Sequence, residues 1–85
     1  MKEFQYTIKE ENGIHARPAG LLVRKAQSYQ SSATMVHNEK SADIKRLFAL
    51  MGLNVKKGDT VTVQVSGADE EAAAQGLKEF LSENL

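Results

Sequence analysis

The chain contains a single proline, Pro18, and it stands inside a stretch whose apolar spacing is helical. Ala19, Leu22, Val23 and Ala26 fall at i, i+3, i+4 and i+7, the stripe by which a surface helix faces a core. Proline lacks an N–H, and its ring clashes with the preceding turn. A helix therefore accepts it only in the first turn, where the N–H groups have no intrahelical duty. Pro18 thus places the helix start beside His15. Upstream, Phe4, Tyr6 and Ile8 alternate with Gln5 and Thr7 as a half-buried strand does, and Asn12-Gly13 breaks the pattern, so that strand ends near Lys9 or Glu10.

Downstream, residues 32–43 read as two short strands around Asn38-Glu39. Asn tolerates the left-handed conformation of a tight hairpin, and Glu39 is a poorer choice than glycine for the second turn position. A short helix is expected over Lys45–Met51 with Gly52 as its C-cap. Its four large apolar residues, Leu47, Phe48, Leu50 and Met51, cover more of the circumference than a core stripe needs. Lys56-Lys57-Gly58-Asp59 is a turn signal, and Val61, Val63 and Val65 mark the clearest strand, Thr60–Ser66. Asp69 is placed to cap a last helix opened by Glu70 and Glu71, with Ala73, Leu77, Phe80 and Leu81 on its inner face. The order is βαββαβα. Short connections then predict an α+β fold in which a four-stranded, mostly antiparallel sheet carries its helices on one face.

Composition limits what such a chain can do. Eighty-five residues support one domain over residues 1–85 and no deep substrate chamber. The absence of cysteine excludes disulfides, thiolate zinc sites and thiol catalysis. No apolar run approaches the 18 or so residues of a membrane span, and the first residues, MKEFQYTIKEE, lack a signal-peptide core, so membrane insertion is not expected and a cytoplasmic location is. Overall charge is balanced but segregated. Residues 13–58 hold eight basic side chains against Glu39 and Asp43, while residues 69–85 hold five acidic ones against Lys78. That segregation points to a surface attracting anions or acidic proteins, although scattered solvated charge reads equally well.

Chemistry has few places to sit. His37, next to the hairpin turn, reads as an exposed bystander, and its neighbours give no metal-ligand spacing. His15 is different, because it lies at the cap of the helix that Pro18 delimits. There the Ala16 and Arg17 N–H groups lack intrahelical partners and carry the positive end of the helix dipole. That field disfavours imidazolium and leaves a nucleophilic ring nitrogen. An anion attached to this nitrogen would meet free N–H donors and the Arg17 guanidinium. The residues alone leave two readings open: a phosphohistidine site, or an ordinary capping or surface histidine.

The run Asn12-Gly13-Ile14-His15-Ala16-Arg17-Pro18-Ala19 resembles the active-site signature of the HPr family, the histidine-containing phosphocarriers of the bacterial phosphoenolpyruvate-dependent sugar phosphotransferase system. The resemblance extends over essentially the whole chain, including Lys40–Met51 and Val65-Ser66-Gly67-Ala68-Asp69-Glu70. It implies an open-faced β-sandwich, phosphorylation of His15 on Nδ1 by Enzyme I, transfer to IIA domains of sugar permeases, and stabilisation of the phosphorylated form by Arg17. It also implies partner contacts through Ala16, Gly20, Arg24, Leu47, Phe48 and Met51, with Leu50 assigned to the core. Lys45 and Arg46 could add steering charge around that patch. Such a protein is a carrier and not an autonomous catalyst, uses no cofactor or metal, and is expected as a monomer.

One departure bears on regulation. Many relatives have a phosphorylatable serine where this chain has Arg46, which offers no hydroxyl and carries the opposite charge to phosphate. Two alternatives remain: a regulatory or nitrogen-branch paralogue that acts through protein binding, and an RNA-binding α/β domain. The intact His15, Arg17 and Pro18 speak against a purely regulatory role. The five aromatics show no pairing on adjacent strands, so nucleic acid is not expected as a partner.

Overall fold

The computed structural model describes residues 1–85. Its elements run β1 (Lys2–Thr7), α1 (Ala16–Gln27), β2 (Ser32–His37), β3 (Lys40–Asp43), α2 (Leu47–Met51), β4 (Thr60–Ser66) and α3 (Glu70–Asn84). The strands form one sheet in the order β1-β4-β2-β3. Every neighbouring pair is antiparallel, which makes the expected mostly antiparallel sheet wholly so.

Period-two alternation sets the two faces of this sheet. Val61, Val63 and Val65 are completely buried and stand opposite Tyr6, Phe4 and Lys2 on β1, with Met35 and Ala33 on the other side. The intervening residues Thr60, Thr62, Gln64 and Ser66 turn to the other face with Thr34 and Gln5, leaving it polar. The helices cover the apolar face. Pro18, Ala19, Leu22, Val23 and Ala26 are the buried stripe of α1, and Ala73, Leu77 and Leu81 that of α3. Packing joins α3 to β1, β4 and α1, and α1 to α2. The result is the open-faced β-sandwich, with one core between sheet and helices.

Gly52 closes α2 as its C-cap, as expected, with right-handed backbone at φ −66°, and Asn54 beyond it is left-handed at φ 58°. Two local expectations are corrected. In the hairpin only Asn38 is left-handed, at φ 52°, so Glu39 meets no positive-φ penalty. Asp69 occupies the N-cap position of α3 without bonding that helix through its side chain. Its carboxylate instead accepts the Gln30 N–H at 2.9 Å, the Ser31 N–H at 2.8 Å and the Ser31 hydroxyl. Ser31 is buried between α1 and β2, where its polar groups would otherwise lack partners. Asp69 therefore ties the start of α3 to the α1–β2 connection.

Hydrogen bonds from Ser31 and Gln30 hold the Asp69 carboxyl below its ordinary value, outweighing the opposing effect of desolvation. A carboxyl depressed in the folded state adds stability above the unfolded-state value, and that increment disappears as pH falls through the folded one. Asp69→Asn is expected to lower the melting temperature at neutral pH and to flatten its decline below about pH 4. Thermal melts from pH 2 to 7 give the comparison.

Candidate functional site

The backbone before α1 is held by a contact from a distant loop. Gly13 is left-handed at φ 66° and lies against the Val55 carbonyl and the Lys56 Cα, leaving no room for a Cβ. Ile14, buried in the core, donates its N–H to the Val55 carbonyl at 3.1 Å. The chain then enters α1 through His15, the N-cap residue, with extended backbone at φ −110° and ψ −179°.

The donors of the first turn can be counted. Pro18 has none, and Ala19 donates to the His15 carbonyl at 2.9 Å. The Ala16 and Arg17 N–H groups have no acceptor within the chain, and no side chain caps the helix. No acidic residue occupies the first turn, so the positive end of the helix is uncompensated. His15 is half-buried, Ala16 and Arg17 are exposed, and Arg17 makes no ion pair. The sequence placed these residues together, and the structure does put His15 at the N-cap of α1, with two free N–H donors and the unpaired Arg17 in its first turn. That arrangement can hold a tetrahedral anion. None of the surface concavities includes His15; the largest, about 270 Å³, lies between β1 and α3.

The apolar helix divides as its spacing foretold. Leu50 is buried at 1% exposure, Phe48 is 87% exposed, and Leu47 and Met51 lie between as partly buried residues packed on the core. On α1, Gly20 and Gln27 share a helical flank with Ala16. Gln27 donates its side-chain amide to the Lys45 carbonyl at 3.1 Å, so this flank runs beside the entry to α2. An added Cβ at Gly20 would meet only open space, so no packing within the chain demands glycine there. Arg24 is exposed and unpaired, whereas Arg46 lies 3.9 Å from Asp43. Leu21, 46% exposed on the outer side of α1, was not singled out from sequence. Its i+4 spacing from Arg17 was the available signal.

His37 departs from expectation. It is buried at 8% exposure, with Nδ1 3.0 Å from the Leu53 carbonyl and Nε2 3.0 Å from Asp59 Oδ2. The bystander reading failed because both partners come from a loop far along the chain. No group of three or more His, Cys, Asp or Glu side chains is arranged to hold a metal ion.

A sheet covered on one face by helices here presents a histidine and an arginine at an uncapped helix start, an arrangement suited to holding an anion at the surface. The family model described as "PTS HPr component phosphorylation site" matches residues 2–83, and the chain belongs to this HPr family of phosphocarriers of the phosphotransferase system. The phosphocarrier protein HPr of Lysinibacillus sphaericus is 41% identical over 83 residues, which cover 98% of this chain and 94% of that one. The HPr of Mycoplasma genitalium is 39% identical over 85 residues, covering 99% and 97%. Among solved structures, HPr-C-His of Thermoanaerobacter tengcongensis superposes with a TM-score of 0.93 at 34% identity, covering 98% and 93% of the two chains. A structure described as an HPr dimer from the same organism has a TM-score of 0.78 at 34% identity, covering 98% and 95%.

Two substitutions separate surface from scaffold. Phe48→Ala is expected to change stability by less than about 0.5 kcal/mol, whereas Leu50→Ala should cost about 2–5 kcal/mol. Gly13→Ala should also cost more than about 2 kcal/mol, because it adds positive-φ strain to a clash with the Val55 carbonyl. Urea unfolding of the three variants tests this ordering.

Proposed function

We propose that the protein accepts a phosphoryl group on His15 from phospho-Enzyme I, ultimately from phosphoenolpyruvate, and passes it to IIA domains of sugar permeases. The observation that carries this reading is the pairing, in an HPr-family chain, of an open N-cap imidazole with two unsatisfied N–H groups and the unpaired Arg17. In the forward step the lone pair of a neutral ring nitrogen attacks phosphorus. A new N–P bond forms as the donor's bond to phosphorus breaks, and the phosphoryl oxygens bring their charge to the helix end. The Ala16 and Arg17 N–H groups and the Arg17 guanidinium then offset that charge. The reverse sequence releases the group to the acceptor. The chain acts as substrate and product of its partners, without turnover of its own.

The docking surface follows from the same geometry. Phe48 supplies an exposed aromatic anchor, Leu47 and Met51 extend it, and Ala16 and Gly20 leave the α1 flank low enough for close approach. Arg17 and Arg24, unpaired, favour a partner with an acidic face and raise encounter rate more than affinity. A patch of this size fits an interface at the small end of the usual range, as a carrier that must dissociate requires. We place the protein in the cytoplasm as a monomer; light scattering at micromolar concentration measures the latter.

Incubation with Enzyme I and phosphoenolpyruvate should yield an acid-labile, base-tolerant phosphoramidate that maps to His15 by mass spectrometry. His15→Ala should abolish it. Arg17→Ala should slow transfer at least about tenfold, roughly the effect of removing one charge-assisted contact, while leaving the fold intact. Undiminished labelling of His15→Ala contradicts the proposal.

A further inference from the structure

His37 closes β2 with its ring buried, and each ring nitrogen faces an oxygen that can only accept. Nδ1 is 3.0 Å from the Leu53 carbonyl and Nε2 is 3.0 Å from Asp59 Oδ2. A neutral imidazole carries a single N–H, so both contacts are hydrogen bonds only when both nitrogens are protonated. With one proton lost, a lone pair faces an oxygen in a place with little access to water.

Both partners belong to the segment between α2 and β4. Asp59 Oδ2 also accepts the Lys56 N–H at 3.0 Å. The Asp59 carbonyl takes the Ile8 N–H at 2.9 Å, and the Ile8 carbonyl takes the Gly58 N–H at 2.8 Å. The turn is thereby fastened to the end of β1, and His37 fastens the same segment to β2. Between the two residues that His37 holds lies Val55, whose carbonyl accepts the Ile14 N–H and abuts Gly13. One short path thus leads from the His37 ring, through residues 53–59, to the backbone that delivers His15.

We propose that His37 is a positioning residue for His15, its two ring nitrogens pinning the 53–59 segment at Leu53 and Asp59 so that Val55 fixes Gly13-Ile14 and the start of α1. This rests on the reading of His15 as phosphoryl acceptor. The charged groups around the ring are few. Asp59 is bonded to it, Lys40 is its register partner on β3, and Lys56 and Lys57 share the Asp59 turn. The adjacent helix α2 carries no charged residue. A ring with a single proton can make only one of the two bonds, which would loosen the segment. A role confined to packing would leave the Ile14 amide indifferent to that proton.

The test follows the ring nitrogens of His37 and the Ile14 amide by ¹⁵N–¹H NMR across pH, in the full chain and in His15→Gln, which removes the titration of His15 itself. At low pH both His37 nitrogens should resonate as N–H. As the ring loses a proton, the Ile14 amide in His15→Gln should move with the same midpoint and exchange faster with solvent. His37→Asn, which can keep the Leu53 bond but not reach Asp59, should abolish that step. It should also lower the rate of His15 phosphorylation by Enzyme I and phosphoenolpyruvate severalfold at low pH. An Ile14 amide that stays still while His37 titrates overturns the proposal, as does phosphorylation of His37→Asn at the unaltered rate. If residue 15 of the unaltered chain takes no phosphoryl group, the acceptor assignment has failed, and the Ile14 titration still decides the coupling. That titration also decides it if His37→Asn does not fold.

Discussion

The contact between the Val55 carbonyl and the Gly13-Ile14 backbone sets the geometry of everything at the head of α1. A glycine in the left-handed region lets two backbones approach more closely than any side chain would allow, and one hydrogen bond fixes their register. Pro18 then excludes any helix that begins a turn or more earlier, because its ring and missing N–H are compatible only with the first turn. Between these two constraints His15 has one place to be. The same constraints leave the Ala16 and Arg17 N–H groups without partners, since Pro18 offers no donor and Ala19 is satisfied by His15. Free donors are thus left by withholding ordinary caps, not by adding a pocket. The backbone is fastened ahead of His15 and exposed at Ala16 and Arg17 beyond it.

Stability and function are separated residue by residue along the same elements. In α2 one apolar side chain, Leu50, is committed to the core while Phe48 projects into solvent, so the helix is anchored and still exposes an aromatic side chain. In α1 the buried stripe does the folding and the opposite side carries Arg17, Leu21 and Arg24. Arg46 places a cation at the entry to α2 where a phosphorylatable hydroxyl would make the surface switchable. Charge at that point is fixed in this chain. Phosphoserine control there is chemically closed.

Much of this was legible in the sequence, and what was not shares one physical cause. Period-two alternation over Thr60–Ser66 and the 3.6-residue stripe of α1 are local signals, and both elements form where those signals place them. Pro18 and Asn12-Gly13 located His15 because steric rules act within a few residues. His37 and Asp69 were misread because their partners lie far along the chain. The Asp59 carboxylate and Leu53 carbonyl turn an apparent hairpin bystander into a buried clamp, and the unpaired N–H groups of Gln30 and Ser31 recruit a carboxylate that looked like a helix cap. Left-handed geometry was foreseen at Asn38 but not at Asn54, and Glu39 escapes the expected penalty because only the first turn residue has positive φ.

The account turns on the idea that two unsatisfied backbone donors receive the charge placed on the imidazole. The most direct measurement is the pair of amide proton shifts of Ala16 and Arg17, recorded before and after enzymatic phosphorylation of the intact protein. The account predicts large downfield movements of these two resonances, well beyond those elsewhere in α1, and their reversal when the phosphoryl group is hydrolysed. Amides that remain in place while the protein becomes phosphorylated would contradict it.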